Sequence, residues 1–290
     1  MPELTLSCVA CERSLDPRDW LQLSTVTLRR CSGCGSLTAV PRPTPEAQAS
    51  LHDAADYFSH PYFARRRADD ERTAARCLQV FDRLSPILPA TRLKGRRHLD
   101  VGCDTGAFLI ASARLFGVVP VGLDVAAQAV DLARRHGLAA HHASLETAPV
   151  TLGAFAVITA IDVIEHVADP RDFLMRVENH LEADGACYIE TPNIGSVIYA
   201  LGRLAAMGGW SESSAILRLF PSEHIQYLSL LGLQRLAERS NLRIAAAGTR
   251  RLLYRDLGVP RALGAALSGL QVVDTLAGTQ ILRWAVMAKR

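Results

Sequence analysis

Along residues 93–290 the apolar and polar positions follow two alternating rhythms. Short runs rich in Val, Ile, Leu and Ala predict strands over Arg97 to Val101, Val119 to Asp124, Ala139 to His142, Phe155 to Ile161, Ala186 to Glu190, Leu242 to Gly248 and Ile281 to Lys289. Between them, apolar residues recurring at about 3.6-residue spacing predict helices over Gly106 to Phe116, Ala126 to His136, Pro170 to Leu181 and Ser229 to Ser240. Strand and helix in regular alternation point to an α/β domain. Two apolar stretches break the rhythm, Ile194 to Phe220 and Leu252 to Thr279. Inserted apolar helices beside an α/β site often cap a substrate pocket, so 194–220 and 252–280 are expected to do so; a core extension or a dimer face accounts for them equally well. There is no internal repeat and no low-complexity tract.

Upstream the pattern changes. Trp20 to Leu28 alternates like one strand, and Pro41-Arg-Pro-Thr-Pro45 ends that unit with a stiff connector. A charged helical stretch follows from Tyr62 to Leu84, closed by Pro86 and Pro89. This divides the chain into an N-terminal unit (1–40), a linker with N-terminal helices (41–92) and the α/β domain (93–290).

Composition narrows the class. The 290 residues are 49% hydrophobic and 21% charged, which supports a sizeable core and argues against disorder. A net charge of +3 is too weak for a dedicated nucleic-acid binder, and the short basic runs Arg65 to Arg67, Arg96 to Arg97 and Arg250 to Arg251 read as solvated element ends. Nucleic acid is therefore a disfavoured partner. The first residues have neither the basic nor the apolar region of a signal peptide, and no apolar run approaches the roughly 18 residues needed to span a bilayer. Seven cysteines in that setting imply a reducing cytoplasm, where paired Cys-x2-Cys units favour metal over disulfide.

Two such units occur, Cys8-x2-Cys11 and Cys31-x2-Cys34, with nineteen residues between Cys11 and Cys31. Each knuckle aims two thiolates at one point, and two knuckles make a tetrahedral four-sulfur shell that suits zinc. A closed shell leaves no open position, so this metal is expected to be structural. The strand pattern between the knuckles makes the unit resemble a zinc ribbon. Cys77, Cys103 and Cys187 have no knuckle partner and read as small buried residues.

The α/β domain carries a second chemical signal. Asp100-x-Gly102-x-x-x-Gly106 follows an apolar strand and opens a helix, where Gly102 permits a sharp turn and free N–H groups face a ligand. Twenty-four residues after Asp100 the next strand ends in Gly122-Leu123-Asp124, an acid placed to accept hydrogen bonds from two ribose hydroxyls. An adenosine-containing cofactor is expected. A nicotinamide site usually has a middle glycine where Asp104 stands, and a carboxylate there would repel a pyrophosphate. It suits instead a ligand carrying a sulfonium and an ammonium, which favours S-adenosylmethionine.

The stretch from Asp100 to Asn193 resembles a class I S-adenosylmethionine-dependent methyltransferase. The resemblance rests on Asp-Val-Gly-Cys-x-Thr-Gly, then Gly-Leu-Asp, then Asp162-Val-Ile-Glu-His166-Val-x-Asp-Pro170, then Ile189-Glu-Thr-Pro-Asn193 after an Asp184-Gly185 turn, and extends to Phe220-Pro-Ser-Glu-His224-Ile-Gln-Tyr-Leu-Ser-Leu230. Many members have Gly at the position of Asp104. The resemblance implies a Rossmann-like, seven-stranded, mainly parallel sheet with helices on both faces. Carried over by position, it places Asp100, Gly102 and Gly106 around the methionine part of the cofactor, with Cys103 and Asp104 in the same loop. Asp124 holds the ribose, Val125 lies beside the adenine, Ser144 and Leu145 flank the adenine edge, and Ala160, Ile161 and Asp162 lie under the cofactor.

Methyl transfer from a sulfonium is an in-line displacement, so the protein must align the nucleophile and, for a hydroxyl, remove a proton. His224, on a loop opening a helix, is the first candidate base; His166 and Glu165, after the strand ending at Ile161, are the others, with Glu223 beside them. Tyr57, Phe58 and Tyr62 are candidates to cover the cofactor. The leading expectation is O-methylation of a small molecule, sugar or glycan, because a zinc ribbon before this domain also resembles some sugar-modifying methyltransferases. An RNA base methyltransferase with a zinc module is the alternative, against which stand the low charge and Ala160-Ile-Asp-Val163 in place of an Asn-Pro-Pro-Tyr-like motif. A non-enzymatic zinc-ribbon adaptor with a degenerate cofactor domain is the third reading, opposed by the intact acid at Asp124.

Overall fold

A computed structural model describes residues 6–42, 70–251, 269, 272–276 and 278–290. The expected cover from Tyr57, Phe58 and Tyr62, and most of the 252–280 insertion, lie outside the described residues.

Seven strands form the main sheet: β4 (Arg97–Val101), β5 (Val119–Asp124), β6 (Ala139–His142), β7 (Phe155–Ile161), β8 (Leu181–Pro192), β10 (Leu242–Arg250) and β11 (Leu282–Lys289). Their order is β10-β11-β8-β7-β4-β5-β6. The pairs from β8 through β6 are parallel, and β11 runs antiparallel to both of its neighbours. Strand pleating splits the apolar runs between two faces. Val157, Tyr188 and Val286 turn toward α1 (Asp70–Leu84), which buries Cys77, Val80, Phe81 and Leu84 against them. Ile158, Cys187, Ile189, Ala285 and Met287 turn the other way, toward α4 (Pro170–His180) and α7 (Leu230–Arg239). Helices α2 (Ala107–Phe116) and α3 (Ala127–Arg135) complete the crossovers beside β4 to β6. The Asp169-Pro170 pair starts α4: the Asp169 carboxylate accepts from Arg171 N and Asp172 N, and Pro170 fills the first turn, where no N–H is needed.

The N-terminal unit differs from its sequence pattern. The single strand expected from Trp20 to Leu28 is a hairpin of β1 (Leu15–Gln22) and β2 (Thr27–Cys31), closed by Leu23 N–H to Val26 O. Leu21, Leu23 and Leu28 all face one core with Val26 against them, and the alternation changes parity between Leu23 and Val26, where the chain reverses. Strand β3 (Leu37–Ala39) follows, and the fourth strand of this small sheet is β9 (Gln226–Tyr227), supplied by the α/β domain. The boundary at residue 40 therefore does not separate two cores: Cys8, Ala10, Cys31 and Cys34 share one with Leu228, Leu233 and Leu236.

Residues 197–219 form α5 (Val197–Ala205), a wide turn at Ala206–Trp210 and α6 (Ser214–Leu219). Ile198, Tyr199, Ile216 and Phe220 pack on Leu21, Leu28 and Leu37 of the small sheet, so the inward face of this insertion is committed to the N-terminal unit. The turn expected at Asp184-Gly185 lies within the residues of β8, as a bulge between Leu181 and Ala186, which pair with Phe155 and Val157. Asp184 is tied there by Arg92 and Arg96, and a Cβ at Gly185 would sit 2.9 Å from Ala156 O. No helix among the described residues is long and apolar enough to cross a membrane.

Candidate active site

Asp100 ends its side of β4 fully buried, in register with Thr159 on β7, whose hydroxyl donates to Asp100 Oδ1 at 2.5 Å. His98 Nε2 lies 2.9 Å from the same hydroxyl, and burial holds that imidazole neutral, at about 3. Burial pushes Asp100 up to about 7, with the like charges of Asp124 and Asp104 adding to the rise against the pull of Thr159 and Arg76. After Val101 the chain reverses. Gly102 adopts φ +75°, its N–H and that of Cys103 both donate to Leu123 O, and a Cβ on Gly102 would lie 2.7 Å from Val163 Cγ2. Asp104, at φ +48°, occupies the left-handed region that Asp tolerates better than most residues, which is how it replaces a glycine here.

That conformation aims the Asp104 N–H at Asp124 Oδ2 (2.8 Å), while Asp124 Oδ1 accepts from Ala126 N (2.9 Å). Asp124 is thus oriented by two backbone donors from different loops. Burial still raises its pKa above the usual carboxylate value. Gly106 caps α2 at φ +82°, and a Cβ there would fall 2.1 Å from Leu138 Cδ1. Gly106→Ala is expected to cost about 1–3 kcal/mol, through strain plus overpacking, and to lower the urea midpoint accordingly; an unchanged midpoint would mean that the turn relaxes freely.

Among the other expected cofactor residues, Val125 is exposed, and Ser144 sits in a turn with its N–H on Thr147 Oγ1 (3.1 Å). Cys103, Leu145 and Ala160 turn their side chains into the core, so only their backbone is available to a ligand. Ile161 is half-buried, and Asp162, at φ +57°, donates its N–H to Glu190 O.

A second cluster lies at the same edge. Residues Ile164–His166 form a short 3-10 turn after β7. Glu165 is fully buried: Oε2 accepts from Thr191 Oγ1 (2.9 Å), and Oε1 has no hydrogen-bond partner among the described residues. Burial, then the negative charge of Asp162, pushes Glu165 well above the usual glutamate value. The His166 Nδ1–H donates to Glu223 O (3.0 Å), which fixes the orientation of the ring. The His224 ring stands edge-on to that of His166 at 4.7 Å and near Tyr227 at 5.6 Å. One ligand atom each from Glu165, His166 and His224 lies within 4.8 Å of the others. The three candidate bases are thus one constellation, and His224 is partly buried in it rather than free on a loop.

The sequence assigned no role to Thr159, nor to Thr191 and Gln226 inside the motifs it did single out. The signal for Thr159 was a polar residue among apolar strand neighbours. Nor did the sequence give a role to Glu190, fully buried on β8 and bonded by Tyr188, by Arg76 (2.7 Å) and by Arg250 (2.6 Å). Burial alone would raise this carboxyl, but the two guanidinium groups hold it at about 2. Glu165, by contrast, has no guanidinium or ammonium group paired with it among the described residues, and its environment leaves the carboxyl raised rather than lowered.

In the N-terminal unit the four Cys Sγ atoms converge, with Cys8 to Cys34 at 3.6 Å, Cys11 to Cys31 at 3.4 Å and all within 4.8 Å of one another. Four sulfurs around a zinc at about 2.3 Å would stand about 3.8 Å apart, so both the spacing and the donor set fit that ion.

The strand order and the glycine turn between two acidic strand ends define the class I fold of S-adenosylmethionine-dependent methyltransferases. Residues 66–247 match the family described as "Methyltransferase domain", and the chain belongs to that family. Curated relatives include a ubiquinone biosynthesis O-methyltransferase of Glaesserella parasuis, 31% identical over 121 residues (38% of this chain and 50% of that protein). Another, from Xanthomonas oryzae pv. oryzae, is 30% identical over 131 residues (43% and 54%). The chain spans about half the length of these relatives. Among solved structures, the magnesium protoporphyrin IX methyltransferase of Synechocystis PCC 6803 with bound S-adenosylhomocysteine has a TM-score of 0.57 at 12% identity, covering 84% of this chain and 100% of that one. The plantazolicin methyltransferase with S-adenosylhomocysteine has a TM-score of 0.52 at 18% identity, covering 84% and 97%.

Proposed function

We propose that this chain transfers a methyl group from S-adenosylmethionine to a hydroxyl of a small molecule, sugar or glycan. The observation that carries the reading is the pair of buried carboxylates, Asp100 and Asp124, at neighbouring strand ends around the Gly102 turn. The O-methyltransferase names of the curated relatives support the choice of a hydroxyl acceptor.

The donor supplies an electrophilic methyl on a positively charged sulfur. Asp124, fixed by two backbone N–H groups, presents its remaining lone pairs to a ribose, and Asp100 and Asp162 set negative charge beside the cationic end. The acceptor enters at the carboxyl edge beyond β7 and β8. There His224 takes the hydroxyl proton as the oxygen closes on the methyl carbon. His166, oriented by Glu223 O, and the buried Glu165 steady the resulting imidazolium; the four-cysteine site has a structural role.

Radiolabelled methyl transfer onto a panel of hydroxylated small molecules and saccharides tests the reading. Label on a hydroxyl is the expected outcome. Label only on structured RNA, with binding that weakens steeply as salt rises, would refute it.

Asp100 adds a pH signature. Its folded pKa is raised, so the proton is held more tightly in the fold than in the unfolded chain. This stability is full below the ordinary value of 3.8 and is lost as pH rises through about 7. A cationic donor favours the ionised form, so binding near pH 6 is expected to release a proton. Calorimetry in buffers of differing ionisation enthalpy reads that release; it should be present in the wild type and absent in Asp100→Asn. Equal values in the two proteins would remove Asp100 from the site.

A further inference from the structure

The N-terminal unit reaches the reacting edge directly. Segment 225–229 lies between the four-cysteine unit and the Glu165–His166 turn, bonded to both. On one side, Ala39 N–H donates to Ile225 O (2.9 Å), Thr38 and Leu37 pair with Gln226 and Tyr227, the Ser229 N–H donates to Ser36 Oγ (3.1 Å), and the Ser229 hydroxyl donates to the carbonyl of the metal-site residue Cys34 (2.6 Å). On the other, the Ile225 N–H donates to Glu165 O (3.1 Å), and the Gln226 amide donates to Ile164 O (2.6 Å) and Val167 O (2.9 Å). His224 precedes this segment, and Ser229 follows as the N-cap of α7, accepting from Gly232 N. Packing there is tight: a Cβ at Gly232 would sit 2.2 Å from Ser36 Oγ.

We propose that the metal-loaded N-terminal unit positions the acceptor side of the site, with Ser36 and Gln226 as the positioning residues that transmit metal occupancy to His224 and Glu165. The proposal rests on the reading of His224 and Glu165 given above. A two-residue strand has no stability of its own. Gln226, Tyr227 and Leu228 are fully buried, so without β3 the Ile225 carbonyl and its neighbours would lose their partners away from water. A small four-cysteine unit depends on its metal for its fold. Losing the ion therefore releases β3, then β9, then the contacts that hold His224 beside His166. The Gly102 turn and Asp124 share no hydrogen bond with the N-terminal unit among the described residues, so the cofactor side stays in place.

The test uses the full chain, zinc-loaded and then chelated, with amide exchange and S-adenosylhomocysteine calorimetry on both forms. Chelation is expected to speed exchange across residues 223–233 more than about tenfold, to leave exchange across 98–124 unchanged and to shift the dissociation constant less than about threefold. Unmoved exchange at 223–233 would overturn the proposal. So would a uniform rise with loss of binding, because the effect would then be global unfolding. Failure of the untreated chain to bind S-adenosylhomocysteine would refute the methyltransferase reading instead, and exchange at 223–233 would still decide the coupling. Ser36→Ala keeps all four cysteines. It should retain its zinc, speed exchange at 229–233 and, with an acceptor in hand, lower kcat about tenfold at an unchanged S-adenosylmethionine KM. Wild-type exchange and kcat in this variant would remove Ser36 from the role.

Discussion

Replacing Asp124 by alanine is expected to weaken S-adenosylhomocysteine binding at least a hundredfold, about 2.7 kcal/mol, while the domain stays folded. The carboxylate is oriented from both sides, by Asp104 N and Ala126 N, so its outward lone pairs are fixed before a ligand arrives. Losing two preorganised acceptors for ribose hydroxyls leaves the ligand's donors unpaired beside a partly buried strand end, where that is costly. The fold should suffer less, because burial already works against the ionised form of this group. A melting temperature within a few degrees of wild type, together with flat titration calorimetry, is the expected pair of results. Unchanged affinity would contradict the placement of the ribose.

His224→Ala is expected to lower turnover about 10²- to 10⁴-fold while changing cofactor affinity less than about threefold. His224 belongs to the cluster with His166 and Glu165, whereas Asp124 takes its hydrogen bonds from Asp104 N and Ala126 N. Steady-state kinetics alongside calorimetry separates the two effects. Wild-type turnover would take His224 out of the mechanism and leave it as an aromatic neighbour of Tyr227.

Much of this arrangement was legible in the chain. The strands ending at Val101, Asp124, His142 and Ile161 stand where the apolar runs placed them, because buried parallel strands are bounded by sharp loops and little else competes for those residues. Helix ends moved by a residue, as caps such as Ser229 stand just outside the helices they start. Three features resisted. The hairpin inside Trp20 to Leu28 shows in the sequence only as a change of parity between Leu23 and Val26, inside two short alternating runs. Asp184-Gly185, a turn by composition, bulges out inside the longer strand β8, tied there by Arg92 and Arg96 from another segment. The pairing of β3 with β9 joins residues nearly two hundred positions apart, and no local period encodes it. For the same reason the sequence presented His224, His166 and Glu165 as separate candidates, whereas Ile225 N–H on Glu165 O and His166 on Glu223 O make them one group.

The most direct measurement is a crystal structure of the full chain with S-adenosylhomocysteine. The account predicts the ribose hydroxyls on Asp124, the amino-acid end between Asp100 and the Gly102 turn, and the sulfur facing the His224 side of the site. Density for a dinucleotide in that cradle, or side chains filling it so that no ligand enters, would contradict it.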